Sequence, residues 1–177
     1  MKIIAFGASS SIHSINKKLA TFTANLFKDA EVEVLDLNHY ELPVFSVDRE
    51  QEFVQSEGIS SFISKLEKAD LLVISMAEHN GNFTAAFKNL LDWTTRVKLK
   101  LFENKKMLLL STSPGSRGGL SSLNLALERF PRHGAVILDH FSLPFFNENF
   151  DENSGIINQE LKIILVEKVR KIESSIS

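Results

Sequence analysis

Gly7-Ala8-Ser9-Ser10-Ser11-Ile12-His13-Ser14-Ile15-Asn16 is the stretch that decides the fold. It follows an apolar, strand-like run from Ile3 to Phe6 and leads into Ile15, Leu19, Phe22 and Leu26, whose spacing predicts a helix. The residues between are mostly small or hydroxylated, so backbone N–H and side-chain O–H groups can converge on one point. That point is a helix N-terminus, where unpaired donors and the positive end of the helix dipole favour an anion. The stretch therefore predicts a phosphate cradle after the first strand. It contains neither G-x-G-x-x-G nor the G-K-[ST] ending of a P-loop. An N-capped strand-to-helix turn without a ligand accounts for the same residues.

Working outward, a helix is expected from about Ser14 to Lys28, and Glu31 to Leu37 alternates charged and apolar residues as a second strand does. Asn38 to Asp48 reads as a connection, and a helix follows from about Glu52 to Glu67. Leu71 to Ser75 is a continuous apolar run of the kind a central parallel strand needs. After the polar loop Met76 to Phe83, Thr84 is placed to cap a helix carrying Phe87, Leu90, Leu91 and Trp93. Lys106 to Ser111 reads as the fourth strand, Leu120 to Phe130 as a helix and Ala135 to Leu138 as the fifth strand. Phe141 to Ser154 reads as irregular, and an amphipathic helix over Ile156 to Ser174 closes the pattern.

Strands alternate with helices five times, which predicts an α/β fold: a three-layer α/β/α sandwich on a five-stranded parallel sheet. The simplest strand order is 2-1-3-4-5, the flavodoxin-like arrangement, with its ligand crevice at the carboxyl ends of the first and third strands. At 177 residues the whole chain, 1–177, reads as a single domain. Its net charge of −2 argues against a nucleic-acid partner, which needs a concentrated basic face. The absence of cysteine excludes disulfides, thiolate metal sites and a cysteine nucleophile, and fits a cytoplasmic protein. No signal peptide and no apolar run of bilayer length is seen, so no membrane partner is expected. The histidines, at 13, 39, 79, 133 and 140, show no metal-type spacing.

Three polar, glycine-bearing loops follow strands that should be neighbours: Gly7–Asn16, Ala77–Phe83 and Ser113–Gly119. A parallel sheet gathers them on one rim. Asn80-Gly81 in the second loop, and Gly115, Gly118 and Gly119 in the third, leave backbone open to a flat ligand, with Arg117 as an available cation. Here the chain resembles the NAD(P)H-dependent FMN reductase family, flavodoxin-like flavoproteins that include quinone, azo-dye and chromate reductases. Where the family opens with G-S-x-R-x-x-S-x-N, this chain has Ala8-Ser9-Ser10-Ser11-Ile12-His13-Ser14-Ile15-Asn16 in its place. Its P-E-Y-N-G-S and K-N-x-x-D-W motifs appear as Ala77-Glu78-His79-Asn80-Gly81-Asn82 and Lys88-Asn89-Leu90-Leu91-Asp92-Trp93. Its S-x-G-x-x-G-G loop is complete in Ser113-Pro114-Gly115-Ser116-Arg117-Gly118-Gly119.

The resemblance implies an oxidoreductase that binds FMN, takes NAD(P)H as co-substrate and passes hydride through the flavin to a small acceptor such as free flavin or a quinone. It implies that Ser9, Ser11, Ser14 and Asn16 hold the FMN phosphate. Glu78, His79, Asn80 and Gly81 would line the isoalloxazine, and Ser113, Gly115, Arg117 and Gly118 would border its other edge. No catalytic side chain is implied, and the expected assembly is a homodimer or homotetramer. Ser11 stands where the family carries arginine, removing a charge-assisted contact to phosphate. His13 and Lys17 are the candidates to replace it. His79 stands for the family's tyrosine and Ala77 for its proline.

Two other readings remain at this point: a flavodoxin-type electron carrier, and a cofactor-free binding module of the same fold. The chain lacks the T-x-T-G-x-T loop and strong acidity of flavodoxins. Trp93 reads as core packing, Asn89 and Asp92 as helix caps or bridges, and Glu78 as a partly buried structural carboxylate. Arg96, Lys98, Lys100, Lys105 and Lys106 read as a solvated basic face.

Overall fold

The computed structural model describes residues 1–176. Its elements run β1 (Lys2–Gly7), α1 (Ile15–Ala24), β2 (Glu31–Val34), α2 (Glu50–Phe53), α3 (Glu57–Glu67) and β3 (Leu71–Met76). A short hairpin follows, β4 (Glu78–His79) with β5 (Asn82–Phe83), then α4 (Ala85–Val97), β6 (Lys106–Thr112) and α5 (Leu120–Arg129). The chain continues through β7 (Val136–Leu143), α6 (Phe146–Asn149), a second hairpin of β8 (Phe150–Asp151) and β9 (Gly155–Ile156), and α7 (Gln159–Ile176). The main sheet has order β2-β1-β3-β6-β7, and every neighbouring pair is parallel. This is the expected flavodoxin-like order, with β6 and β7 as the fourth and fifth sheet strands.

The central strands are buried on both faces because alternate residues feed two cores. Ile4, Phe6, Leu72, Ile74 and Leu109 pack with Phe62 of α3, Phe87 and Trp93 of α4 and Leu123 of α5. Ile3, Ala5, Leu71, Val73 and Leu110 pack with Leu19 of α1 and Leu165 and Val169 of α7. Phe rings fill the first core edge to face, as between Phe6 and Phe62 at 5.7 Å. Trp93 is fully buried and its indole N–H donates to the Pro43 carbonyl at 2.7 Å. Asn89 bridges the same segment, donating to the Leu42 and Pro43 carbonyls and accepting from the Phe45 amide at 2.8 Å.

Local boundaries differ from the sequence expectation where tertiary contacts intervene. The helix expected over 52–67 is two pieces, because Ser56 is extended and opens α3 as its N-cap. The fifth sheet strand runs on to Leu143 through a β-bulge: Met107 pairs with Ile137 but Leu108 with Asp139, leaving Leu138 as the extra residue. The bulge shifts the in–out alternation, which is why Asp139-His140 looks like a strand end in sequence. The stretch after it is not irregular throughout. Phe146 and Phe150 stack at 4.7 Å across α6 and β8, and Ile156 belongs to β9, so α7 begins later, with Asn158 Oδ1 accepting from the Leu161 amide. The basic cluster is largely paired: Arg96 with Glu50, Lys98 with Glu67, and Lys105 with the carbonyls of Glu67 and Ala69.

Candidate active site

The carboxyl ends of β1, β3 and β6 bring the three glycine-bearing loops together. The first loop is pinned at its start. The Ala8 amide donates to the Ser75 carbonyl at 2.8 Å, and Thr84 Oγ1, the cap of α4, donates to the Ala8 carbonyl at 2.9 Å. Gly7 lets α1 approach closely, since a Cβ there would lie 2.3 Å from the Lys17 amide nitrogen. Ser14 is the N-cap of α1, its Oγ accepting from the Lys17 amide at 3.1 Å. The amides of Ile15 and Asn16 come ahead of that capped group, in the first turn, where a helix offers no acceptor of its own.

Asn16 is buried and acts as a brace between strands. Its Oδ1 accepts from Ser75 Oγ at 2.7 Å and from the Thr112 amide at 3.1 Å, and its Nδ2 donates to the Thr112 carbonyl at 3.1 Å. One side chain thus registers α1 against β3 and β6. Lys17 turns away from the cradle: its Nζ lies 2.6 Å from Asp36 Oδ2 beyond the end of β2. That contact, with the Asn38 amide, holds the Asp36 carboxyl down to about 2 from 3.8.

In the second loop, Asn80 and Gly81 both have positive φ, 52° and 73°, the geometry of a tight hairpin turn between β4 and β5. Glu78 is half-buried and its Oε2 accepts from the Ser121 and Ser122 amides at 2.8 and 3.1 Å. It therefore caps α5, whose own N-cap, Gly119, has no side chain to do so. Ser122 Oγ returns a bond to the Ala77 carbonyl at 2.9 Å, so the second and third loops are tied twice. In the third loop the Gly118 carbonyl accepts from Ser111 and Ser142 hydroxyls at 2.7 and 3.0 Å. Arg117 is exposed, with Nη2 at 3.1 Å from Ser121 Oγ.

A cleft of about 270 Å³ opens between the loops. Ser9, Ser11, Ser14, Asn16, Glu78, His79 and Ser113 line it, as do His13, Thr112 and Pro114. Asn80, Gly81, Gly115, Arg117 and Gly118 belong to the same loops but lie outside the lining of this cleft. Of the two candidates to replace the missing arginine, His13 lines the cleft and Lys17 does not. Thr112, at a strand end, was not among the expected contacts and carries no signal in the sequence. No group of three or more His, Asp or Glu side chains suited to a metal occurs among the described residues.

The model of the family described as NADPH-dependent FMN reductase matches residues 1–148. The chain belongs to that family. This FMN reductase homologue is 26% identical over 175 residues to an NADPH:quinone oxidoreductase of Arabidopsis thaliana, covering 92% of this chain and 85% of the plant protein. It is 26% identical over 124 residues to an NADPH azoreductase of Bacillus sp. (strain OY1-2), covering 70% and 65% of the two chains. Its fold is that of FerB, a flavoenzyme NAD(P)H:(acceptor) oxidoreductase from Paracoccus denitrificans, with a TM-score of 0.79 at 19% identity over 99% of this chain and 96% of that one. The apo NADH:FMN oxidoreductase EMOB superposes with a TM-score of 0.70 at 16% identity, covering 99% and 90%.

The protein is thus an NAD(P)H-dependent oxidoreductase of the FMN reductase type, with FMN as cofactor and NAD(P)H as co-substrate. The residues present fit that cofactor. First-turn amides and three serine hydroxyls suit a phosphate, and an exposed glycine turn beside them leaves room for a flat ring. No helix among the described residues is long and apolar enough to cross a membrane.

Proposed function

We propose that this FMN reductase homologue oxidises NAD(P)H and reduces a small acceptor, such as free flavin or a quinone, at the cleft between its three loops. The observation that carries this reading is the convergence on one cleft of the helix start of α1, the serines of the first loop, and Glu78 and His79 of the second. Ser9, Ser11 and Ser14 would donate to the FMN phosphate together with the Ile15 and Asn16 amides. Asn16 contributes its backbone there, since its side chain is committed to Ser75 and Thr112. Glu78, His79, Asn80 and Gly81 would lie along one edge of the ring. Ser113, Gly115, Arg117 and Gly118 would border the other.

FMN, when bound, supplies a ring that accepts hydride from a nicotinamide and returns the electrons to a second substrate. The chain's own part is orientation. Glu78 holds the hairpin on α5, and the hydroxyls of Ser111 and Ser142 fix the Gly118 carbonyl, so both ring borders rest on rigid elements. No side-chain nucleophile is required. The same reading takes residues 1–177 as one domain of a cytoplasmic enzyme assembled from two or four copies. Exposed Ile163 and Ile164 on α7 offer apolar surface for such assembly.

The test is direct. FMN added to the apoprotein is expected to lose fluorescence on binding, and the loaded protein to consume NAD(P)H with quinone or ferricyanide as acceptor. Failure to retain FMN would overturn the site assignment. Retention without NAD(P)H consumption would favour a carrier that serves another protein.

A further inference from the structure

We propose that His13 is the countercharge of the FMN phosphate in this chain, so that flavin retention rises and falls with the charge on one exposed imidazole. The inference rests on the FMN-site reading above. The first loop otherwise offers a phosphate only neutral donors: the hydroxyls of Ser9, Ser11 and Ser14 and the amides opening α1. A helix N-terminus supplies only about half a unit of positive charge. A phosphate monoester carries close to two negative charges near neutrality.

The other cations near the cradle are either paired with carboxylates or lie outside the cleft. Lys17 is bound to Asp36 at 2.6 Å, and Lys18 is paired with Glu152 on the β8–β9 turn. Arg117 of the third loop carries an unneutralised charge, bonded only to the Ser121 hydroxyl, but lies outside the cleft lining. From the second loop, Glu78 faces the cleft with one carboxylate oxygen on the Ser121 and Ser122 amides, and His79 lines the hairpin side. His13, Glu78 and His79 are therefore the titratable side chains of the cleft lining, and His13 alone shares a loop with the three serines. Histidine is the side chain whose charge ordinarily changes between about pH 5 and 8. A phosphate monoester is mostly dianionic at about pH 6.5 and above, and its contact with an imidazole is charge-assisted only where that ring is protonated.

The experiment compares FMN with riboflavin, which lacks the phosphate, by fluorescence titration of the apoprotein at about pH 6.5 and about pH 8. For the wild type, FMN is expected to bind roughly three- to tenfold tighter at the lower pH, with riboflavin unchanged, as befits an exposed charge-assisted contact. His13→Asn should abolish that step, and His13→Arg should bind FMN tightly at both values. His79→Asn should leave the step in place. His13 is exposed, so these replacements leave the core intact. A step that persists in His13→Asn, or that disappears with His79 instead, overturns the proposal while leaving the flavin site standing. FMN binding no tighter than riboflavin in the wild type at either pH removes the phosphate site itself, and the proposal with it.

Discussion

The Lys17 ammonium lies 2.6 Å from the Asp36 carboxylate, joining the first turn of α1 to the chain just beyond β2. Both side chains are a little under one-third exposed, at 30% and 28%, so the pair is neither fully screened nor fully desolvated. It steers the lysine nearest the phosphate cradle away from it.

Folding lowers the Asp36 carboxyl from 3.8 to about 2, through Lys17 first and the Asn38 amide second. A depressed carboxylate stabilises the fold above its unfolded value and loses that contribution as pH falls through the folded one. With solvent screening, the contribution is about 1 kcal/mol. Asp36→Asn should therefore lower neutral-pH stability by about that amount and flatten the loss of stability between about pH 4 and 2. Urea unfolding across that range reads both effects; parallel curves for the two proteins would count against the assignment.

Asn16→Ala should destabilise by about 2–4 kcal/mol, because it strands the Thr112 amide and the Ser75 hydroxyl in the interior. The loss should appear in chemical denaturation of the apoprotein, without flavin present. That separates bracing of the strands from any contact with phosphate. A variant as stable as wild type would mean that water replaces the amide.

Glu78→Ala removes the cap of α5 and should cost about 1 kcal/mol, with Glu78→Gln retaining part of it. FMN affinity should fall in the same order, because the glycine hairpin loses one of its two ties to α5. Thermal melts and flavin titrations check the two effects separately. Unchanged FMN affinity in the alanine variant would show the hairpin to be held by the Ser122–Ala77 bond alone.

Ser11→Arg should tighten FMN binding by about tenfold, the increment of a charge-assisted over a neutral hydrogen bond. Ser11 is exposed at the cleft, so the longer side chain meets no core atoms. Riboflavin affinity should not change. Equal gains for both flavins would place the new contact on the ring side rather than at the phosphate.

Much of the architecture was legible in the residues because its signals are local. Leu71–Met76 is apolar throughout and became a strand buried on both faces; Thr84 reads as a cap and caps α4. The three loops could be assigned to one rim because a parallel sheet brings the ends of neighbouring strands together. Boundaries failed where a local pattern met a distant partner. Asp139-His140 interrupts an apolar run, but pairing with β6 carries the strand on to Leu143. The helix expected over 52–67 breaks where Ser56 turns extended, while Phe53 packs on Trp93 at 5.8 Å.

Sequence alone determined the alternation of strands and helices, the places where the backbone turns tightly and the supply of small hydroxylated residues at the start of α1. Each depends on neighbours a few positions away. Tertiary structure decided how those residues are used. Asn16 spends its side chain on Thr112, 96 residues distant, Glu78 caps a helix 43 residues on, and Lys17 is claimed by Asp36. Such partners are chosen by what packing brings within hydrogen-bond reach, and no periodicity in a linear chain encodes that.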